Sequence, residues 1–365
     1  MTPPRAIGRP RRDSKQEEVV ATLRTRICTG IHAAGTALPT VRELAIELRA
    51  SVPTVSRALG LLIDQGFIAT EGRRGTHVVA HPPHRHRCAL VLPDLPDSQG
   101  RYVNLHWQSL AEAARLLGAN PLAQIETFHA LNRHHEMADH QRLVSAVRDQ
   151  RLAGLVLCEP FQGGEWLDLD AIALPIIGGV DATRPNRGVI RLDQSDFRRR
   201  ALTHLCERGC RRLAVVMDAS IGALRSIGAL RALAHGLGLQ LPVHQVLTAP
   251  LSARGWARHA AEAVMQAPRG QRPDALLVCD DNLVDEAILG LQAAGVADEE
   301  VALAAHANFP STRPASRPVT RFGWDQCEFL RVATQAISDW HAYRRPLGQR
   351  ALTVRREDEV PALQP

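Results

Sequence analysis

The chain has 365 residues, 45% hydrophobic and 22% charged, which is too long for one small domain and suits two or three globular units with sizeable cores. No apolar run approaches the ~20 residues of a membrane helix. The basic start MTPPRAIGRPRRDS has no apolar stretch behind it, so no secretory signal and a cytoplasmic protein are expected. The formal net charge is +6, of which residues 1–80 carry +5, where contacts to nucleic-acid phosphates are expected.

Gly8-Arg9-Pro10-Arg11-Arg12 reads either as an arm for a minor groove or as a solubilising tail. Val19, Val20, Leu23 and Ile27 share one helix face within residues 14–29, and Gly30 is the stop. Thr40-Val41-Arg42-Glu43 is a capping box that opens a second helix with the apolar stripe Val41, Leu44, Ala45 and Leu48. Arg42 falls off that stripe, near the positive helix end, where it can reach a phosphate. After a turn through residues 49–51, Ser51 caps a third helix whose first turn tolerates Pro53. Val55, Ala58, Leu59 and Leu62 face inward, which leaves Thr54, Ser56 and Arg57 outward at the end where a recognition helix touches DNA. Gly66 ends this helix. The β-prone runs 67–70 and 76–79 then flank a glycine-bounded tip carrying Arg73 and Arg74, a hairpin suited to phosphate or minor-groove contact.

Residues 35–79 resemble the winged helix-turn-helix of the GntR family of bacterial transcription regulators, with its patterns G-x-x-L-P-S/T-x-R-x-L-A, S-x-x-T-V-x-x-A-L and G-x-G-T-x-V. The matching residues are Gly35, Leu38-Pro39-Thr40, Arg42, Leu44-Ala45, Ser51, Thr54-Val55, Ala58-Leu59 and Gly75-Thr76-His77-Val78. The resemblance and the outward faces together give the candidate DNA-binding set Arg42, Ser51, Thr54, Ser56, Arg57, Arg73, Arg74, Gly75, Thr76 and His77. Val52 and Ser56 stand where the family commonly has arginine, and Arg73 where it has glycine. Base preference is therefore expected to leave the family's usual pattern, with Arg57 partly compensating.

Residues 81–87 break both periodicities and hold two prolines, so a linker is expected between a DNA-binding domain at 1–80 and a second domain at 88–365. His81, His84 and His86 lie there in a proline-containing segment that holds no carboxylate, so no metal is expected. The seven cysteines are odd in number, scattered and without a C-x-x-C pair, which suits reduced structural thiols; a redox pair at Cys206 and Cys210 is the alternative.

Beyond the linker, apolar runs at 89–92, 154–158, 175–179, 213–216, 275–279 and 301–305 alternate with helical stretches at 104–117, 136–150, 196–207, 227–237, 253–266 and 283–294. Such alternation implies α/β parallel sheets covered on both faces, with ligands beyond the carboxyl ends of the strands. Those ends hold Asp94, Glu159, Asp181, Asp218, Asp280, Asp281 and the run His306 to Asn308. Catalytic motifs are missing. Lys15 is the only lysine, which excludes a G-x-x-x-x-G-K-[ST] phosphate loop and a lysine for pyridoxal phosphate; neither G-x-S-x-G nor H-E-x-x-H occurs. Neither an enzyme nor a cofactor is expected.

This half is similar to the two-lobed effector domain of LacI-type repressors, which is related to periplasmic sugar-binding proteins (the type I class). The matching pieces are 189–193, the helix end and strand over 207–216, Arg225 with Gly228, Asp280-Asp281, and 300–303 leading to His306-Ala307-Asn308. The resemblance implies that Arg225 and Asp281 hold polar groups of a ligand, and that His306 occupies an aromatic's place. Ala307 stands where an acidic residue is common, which argues against an ordinary sugar. The candidate effector-binding set is Asp94, Glu159, Arg225, Asp281, His306 and Asn308. The expectation is a ligand-responsive homodimeric repressor that binds a double-stranded operator and a small polar effector such as a sugar or nucleoside, with no membrane role. A DNA-tethered enzyme or a ligand-independent DNA-binding protein is the alternative.

Overall fold

In a computed structural model, residues 15–72, 75–93, 104–118, 124–129, 138–158, 172–178, 183–310 and 313–361 are described. Three helices and a hairpin form the head: α1 (Lys15–Cys28), α2 (Val41–Glu47), α3 (Val52–Asp64), β1 (Ile68–Glu71) and β2 (Gly75–Val78). Both expected caps are made. The Thr40 hydroxyl accepts from the Glu43 amide while the Glu43 carboxylate accepts from the Thr40 amide, and Ser51 Oγ accepts from the Thr54 amide. Val19, Val20, Leu23 and Ile27 close on Leu44, Val55, Ala58, Leu59, Leu62 and Phe67 as one apolar core. Gly66, at φ +81°, reverses the chain out of α3 in a conformation that disfavours any side chain.

The linker is more ordered than its sequence suggests. One helical turn, α4 (Pro83–His86), precedes β3 (Arg87–Val91), so Arg87 belongs to the second domain's sheet. Pro83 stands in the first turn, where its missing N–H is no loss. His84 stacks on Phe67 of the head with 6.0 Å between centroids, and both its ring nitrogens are buried without a hydrogen-bond partner. Burial, then the charges of Arg85, His341 and His86, lower its pKa from 6.5 to about 4. A histidine with a depressed folded pKa contributes stability that is complete above 6.5 and is lost as pH falls towards about 4. In thermal melts run between pH 7 and pH 4.5, the wild type is therefore expected to lose more stability than His84→Phe, which has nothing to protonate.

The second domain has two lobes. The first holds α5 (Leu105–Leu117), β4 (Gln124–Phe128), α6 (Ala138–Arg148), β5 (Gly154–Leu157), β6 (Ile176–Ile177) and β7 (Arg187–Leu192). The chain crosses to the second lobe at Asp193, which caps α7 (Gln194–Glu207). There follow β8 (Leu213–Asp218), α8 (Ile221–Arg225), α9 (Ile227–Gly236), β9 (Val246–Ala249), α10 (Trp256–Val264), β10 (Ala275–Val278), α11 (Val284–Ala293), β11 (Ala302–Phe309) and β12 (Thr320–Asp325). The chain returns along α12 (Gln326–Tyr343) to β13 (Gly348–Leu352), then goes back to β14 (Arg355–Arg356). The sheets run β13-β7-β6-β5-β3-β4 and β14-β12-β11-β10-β8-β9, parallel except for the β12–β14 pair. An apolar core containing Leu90, Leu110, Phe197, Trp324 and Leu330 is continuous from one lobe to the other.

None of the seven cysteines is in a disulfide. Burial pushes the Cys88 and Cys279 thiols up to about 12, which suits structural rather than reactive groups.

Candidate nucleic-acid interface and effector cleft

On the head, Ser56 and Arg57 are exposed at the amino-terminal end of α3, with Arg42 exposed in the first turn of α2. Thr54 is half-buried, and its hydroxyl lies 2.8 Å from that of Ser51. The Arg57 guanidinium donates from Nε to the Pro53 carbonyl at 3.3 Å, which holds its stem along the helix and leaves both terminal nitrogens free of that bond. Val52 is 46% exposed on the same end, an apolar side chain that offers no phosphate bond. In the wing, Gly75 is exposed at φ +69°. Thr76 and His77 are already engaged: the Thr76 hydroxyl meets that of Thr70 at 3.2 Å, and His77 Nε2 lies 3.6 Å from the Glu71 carboxylate. They stiffen the hairpin. Arg73 and Arg74 lie outside the described residues. Sequence reasoning passed over Arg49, which is exposed in the turn before α3 at φ +48°.

At the other site, β8, β10 and β11 are parallel neighbours, so Asp218, Asp281 and the end of β11 share one edge of the second lobe. His306 and Asn308 were expected beyond a strand ending at 305. They lie within β11 instead, because the strand continues to Phe309 and pairs with β12 over its last six residues. His306 is 8% exposed, and its ring sits 5.3 Å from those of both Phe197 and Trp324. Its Nδ1 is 3.8 Å from the Asp281 carboxylate, an ion-pair distance rather than a hydrogen bond, and neither ring nitrogen has a hydrogen-bond partner.

Asn308 joins the lobes. Its Oδ1 accepts from Gln326 Nε2 at 2.9 Å and faces His106 Nδ1 at 3.1 Å, and its Nδ2 donates to Asp281 at 2.8 Å. This pattern assigns the His106 proton to Nδ1. The Ser109 hydroxyl donates to the Asn308 carbonyl at 2.9 Å, and the Leu105 amide donates to Asn282 Oδ1 at 2.9 Å. The amino-terminal turn of α5, from the first lobe, is thus bonded to the strand ends of the second. Asn308 therefore positions Asp281 in this conformation, with no side-chain polar atom left over.

Burial pushes the Asp281 carboxyl up, but the His306 and Asn308 contacts outweigh it and hold the group below the usual aspartate range, hence ionised. Its neighbour Asp280 is raised by burial and then by the Asp281 charge. Asp281, His306 and Asn308 line a narrow recess together with Leu105, Arg313 and Arg321. Arg225, at the end of α8, is exposed and outside that recess. Asp94, Glu159 and Asp181 lie outside the described residues. His106, Ser109, Asn282 and Gln326 were not singled out in the sequence. Only Asn104, which caps α5 through its side chain, left a local signal there.

Residues 15–78 match the family model of bacterial regulatory proteins of the gntR family, and residues 202–354 match that of a periplasmic binding protein-like domain. Over 65 residues, 17% of its length, the chain is 40% identical to the HTH-type transcriptional regulator Rv1152 of Mycobacterium tuberculosis. That match spans about half (54%) of the relative's own length. A regulatory protein of the LacI family from Chloroflexus aggregans superposes with a TM-score of 0.55 at 16% identity, over 73% of this chain and 96% of the other. A LacI transcriptional regulator from a Rhodococcus species gives 0.56 at 15% identity, over 74% and 96%. The chain thus carries a DNA-binding domain of the gntR family of bacterial regulatory proteins, joined to a periplasmic-binding-protein-like domain with the fold of LacI-family regulators.

Proposed function

We propose that the protein is a sequence-specific transcription regulator, acting as a repressor, whose two-lobed domain binds a small polar effector and thereby changes the hold of the head on DNA. One observation carries this reading: a capped helix with Ser56 and Arg57 exposed stands on the same chain as a cleft that carries Asp281 and His306. The head supplies phosphate and base contacts. The cleft supplies a buried carboxylate and an imidazole with unsatisfied nitrogens, which suit hydroxyl and amino groups of a sugar or nucleoside. An effector acts by preferring one arrangement of the lobes over the other. A homodimer brings two heads to a two-fold operator. A regulator that works on chromosomal DNA belongs in the cytoplasm, and no helix among the described residues is long and apolar enough to cross a membrane.

Selection of binders from a pool of random duplexes by the full chain tests the DNA reading. Enrichment of two-fold symmetric sequences is expected, and a pool that stays unenriched contradicts it. For the cleft, a panel of sugars and nucleosides is screened by thermal shift. A compound that raises the melting temperature of the wild type but not of Asp281→Ala is expected, and its chemical turnover would instead mark an enzyme.

A further inference from the structure

We propose that Arg24 is a positioning residue that ties the recognition helix to the effector lobe through Asp149. Arg24 lies on α1 but does not face solvent: it is 8% exposed, unusual for an arginine. One arm, Nη2, donates to Gln65 Oε1 at 3.0 Å, and Gln65 is the residue that closes α3. The other arm, Nη1, reaches Asp149 Oδ1 of the first lobe at 3.4 Å. The guanidinium carbon also stands 6.0 Å from the Phe67 ring centroid. A forked, rigid donor suits a bridge between two partners held at a fixed angle.

Among the described residues Asp149 is the carboxylate that pairs with Arg24, and it gathers three arginines. Besides Arg24, Arg148 Nε lies at 3.4 Å and Arg151 Nε at 3.9 Å, with the Ser145 hydroxyl donating at 3.2 Å. Without its charge, Arg24 on the head faces two cations on the lobe, the largely buried Arg151 and the solvent-exposed Arg148. Asp149 is thus a clasp whose removal turns attraction into repulsion.

The contact between head and lobe continues into the first lobe's sheet. Strands β3 and β5 run parallel, from Cys88 opposite Gly154 to Val91 opposite Leu157. Arg87 opens β3, and a Cβ on Gly66 of the head would lie 3.2 Å from its guanidinium. Ala153, just before β5, donates to the Arg87 carbonyl at 2.6 Å. The end of α3 thus meets the first lobe at two places, Gln65 through Arg24 to Asp149 and Gly66 against Arg87. Only the use made of this tie rests on the regulatory reading; the tie itself is measured without DNA or effector.

The test is amide hydrogen exchange on the full chain for wild type, Asp149→Asn, Arg24→Gln and the double variant. Asp149→Asn sits outside the head, yet amides of residues 59–67 are expected to exchange on the order of tenfold faster, with β10 and β11 unchanged. In the Arg24→Gln background the same change is expected to have less than half that effect. Arg24→Met, which removes the charge and keeps an apolar stem, serves if Arg24→Gln does not fold, with the same reduced effect of Asp149→Asn expected. Unchanged exchange at 59–67 in Asp149→Asn, or an equal effect in both backgrounds, overturns the tie. Duplex affinity is read on the same variants: reduced affinity with unchanged exchange overturns the tie and leaves the DNA-binding reading standing.

Discussion

A chain carrying both Arg42→Ala and Arg57→Ala is expected to lose duplex affinity by roughly 10- to 1000-fold and to show a log–log salt slope flatter by roughly 1.8. Each arginine that neutralises a phosphate releases about 0.9 counterion on binding, so two lost contacts flatten the slope by twice that. Neither side chain is buried, so the head should fold unchanged and the loss should fall on binding alone. Val52→Arg is the converse: a cation placed on an exposed position of the same helix end should steepen the slope by about 0.9. Fluorescence anisotropy against a labelled duplex between 50 and 200 mM salt reads both variants against the wild type. A slope that does not move in the double variant removes these two residues from the interface.

Gly323→Ala should be the most damaging small substitution in the effector domain. Gly323 pairs with Ala307 across β11 and β12, and a methyl group there would run into the Ala307 carbonyl oxygen and lie 2.7 Å from its carbon. Both are backbone atoms in parallel strands and cannot swing aside. Overpacking of this kind costs about 3 kcal/mol, equivalent to a fall of roughly 6–12 °C in melting temperature for a domain of this size. Because the clash falls between His306 and Asn308, effector binding should fail with stability. Gly222→Ala is the control: it lies in α8 with nothing within 4 Å of the new methyl, so it should be neutral or slightly stabilising. Calorimetry that finds the two variants equal would contradict the placement of β12.

The strands legible in the sequence were those with both faces covered. β3, β5, β8 and β10 are buried almost throughout and announce themselves as apolar runs. The ones that escaped notice include all four sheet edges, β4, β9, β13 and β14, whose side chains are largely half-buried or exposed. An edge strand owes its place to a neighbour's hydrogen bonds, and its own residues need not be apolar. α12 was also passed over, although Leu330, Ala333, Ile337 and Trp340 carry helical spacing behind the cap at Asp325.

In the head, the sequence alone was enough: Thr40 with Glu43, Ser51, the stripe from Val55 to Leu62 and Gly66 act on their own neighbours, and each was where its spacing required. The cleft was different. Asp281, His306 and Asn308 were found as positions on a strand-end rule, but which of them is free to meet an effector depended on His106 and Gln326, 202 and 18 residues away from Asn308. Arg24 makes the same point: on its helix it is an unremarked basic residue, and only the docking of the lobe gives it Asp149, 125 positions on. Local hydrogen bonding and periodicity are written within a few residues of each other. The charge partners of a buried group are chosen by packing, which tertiary structure alone decides.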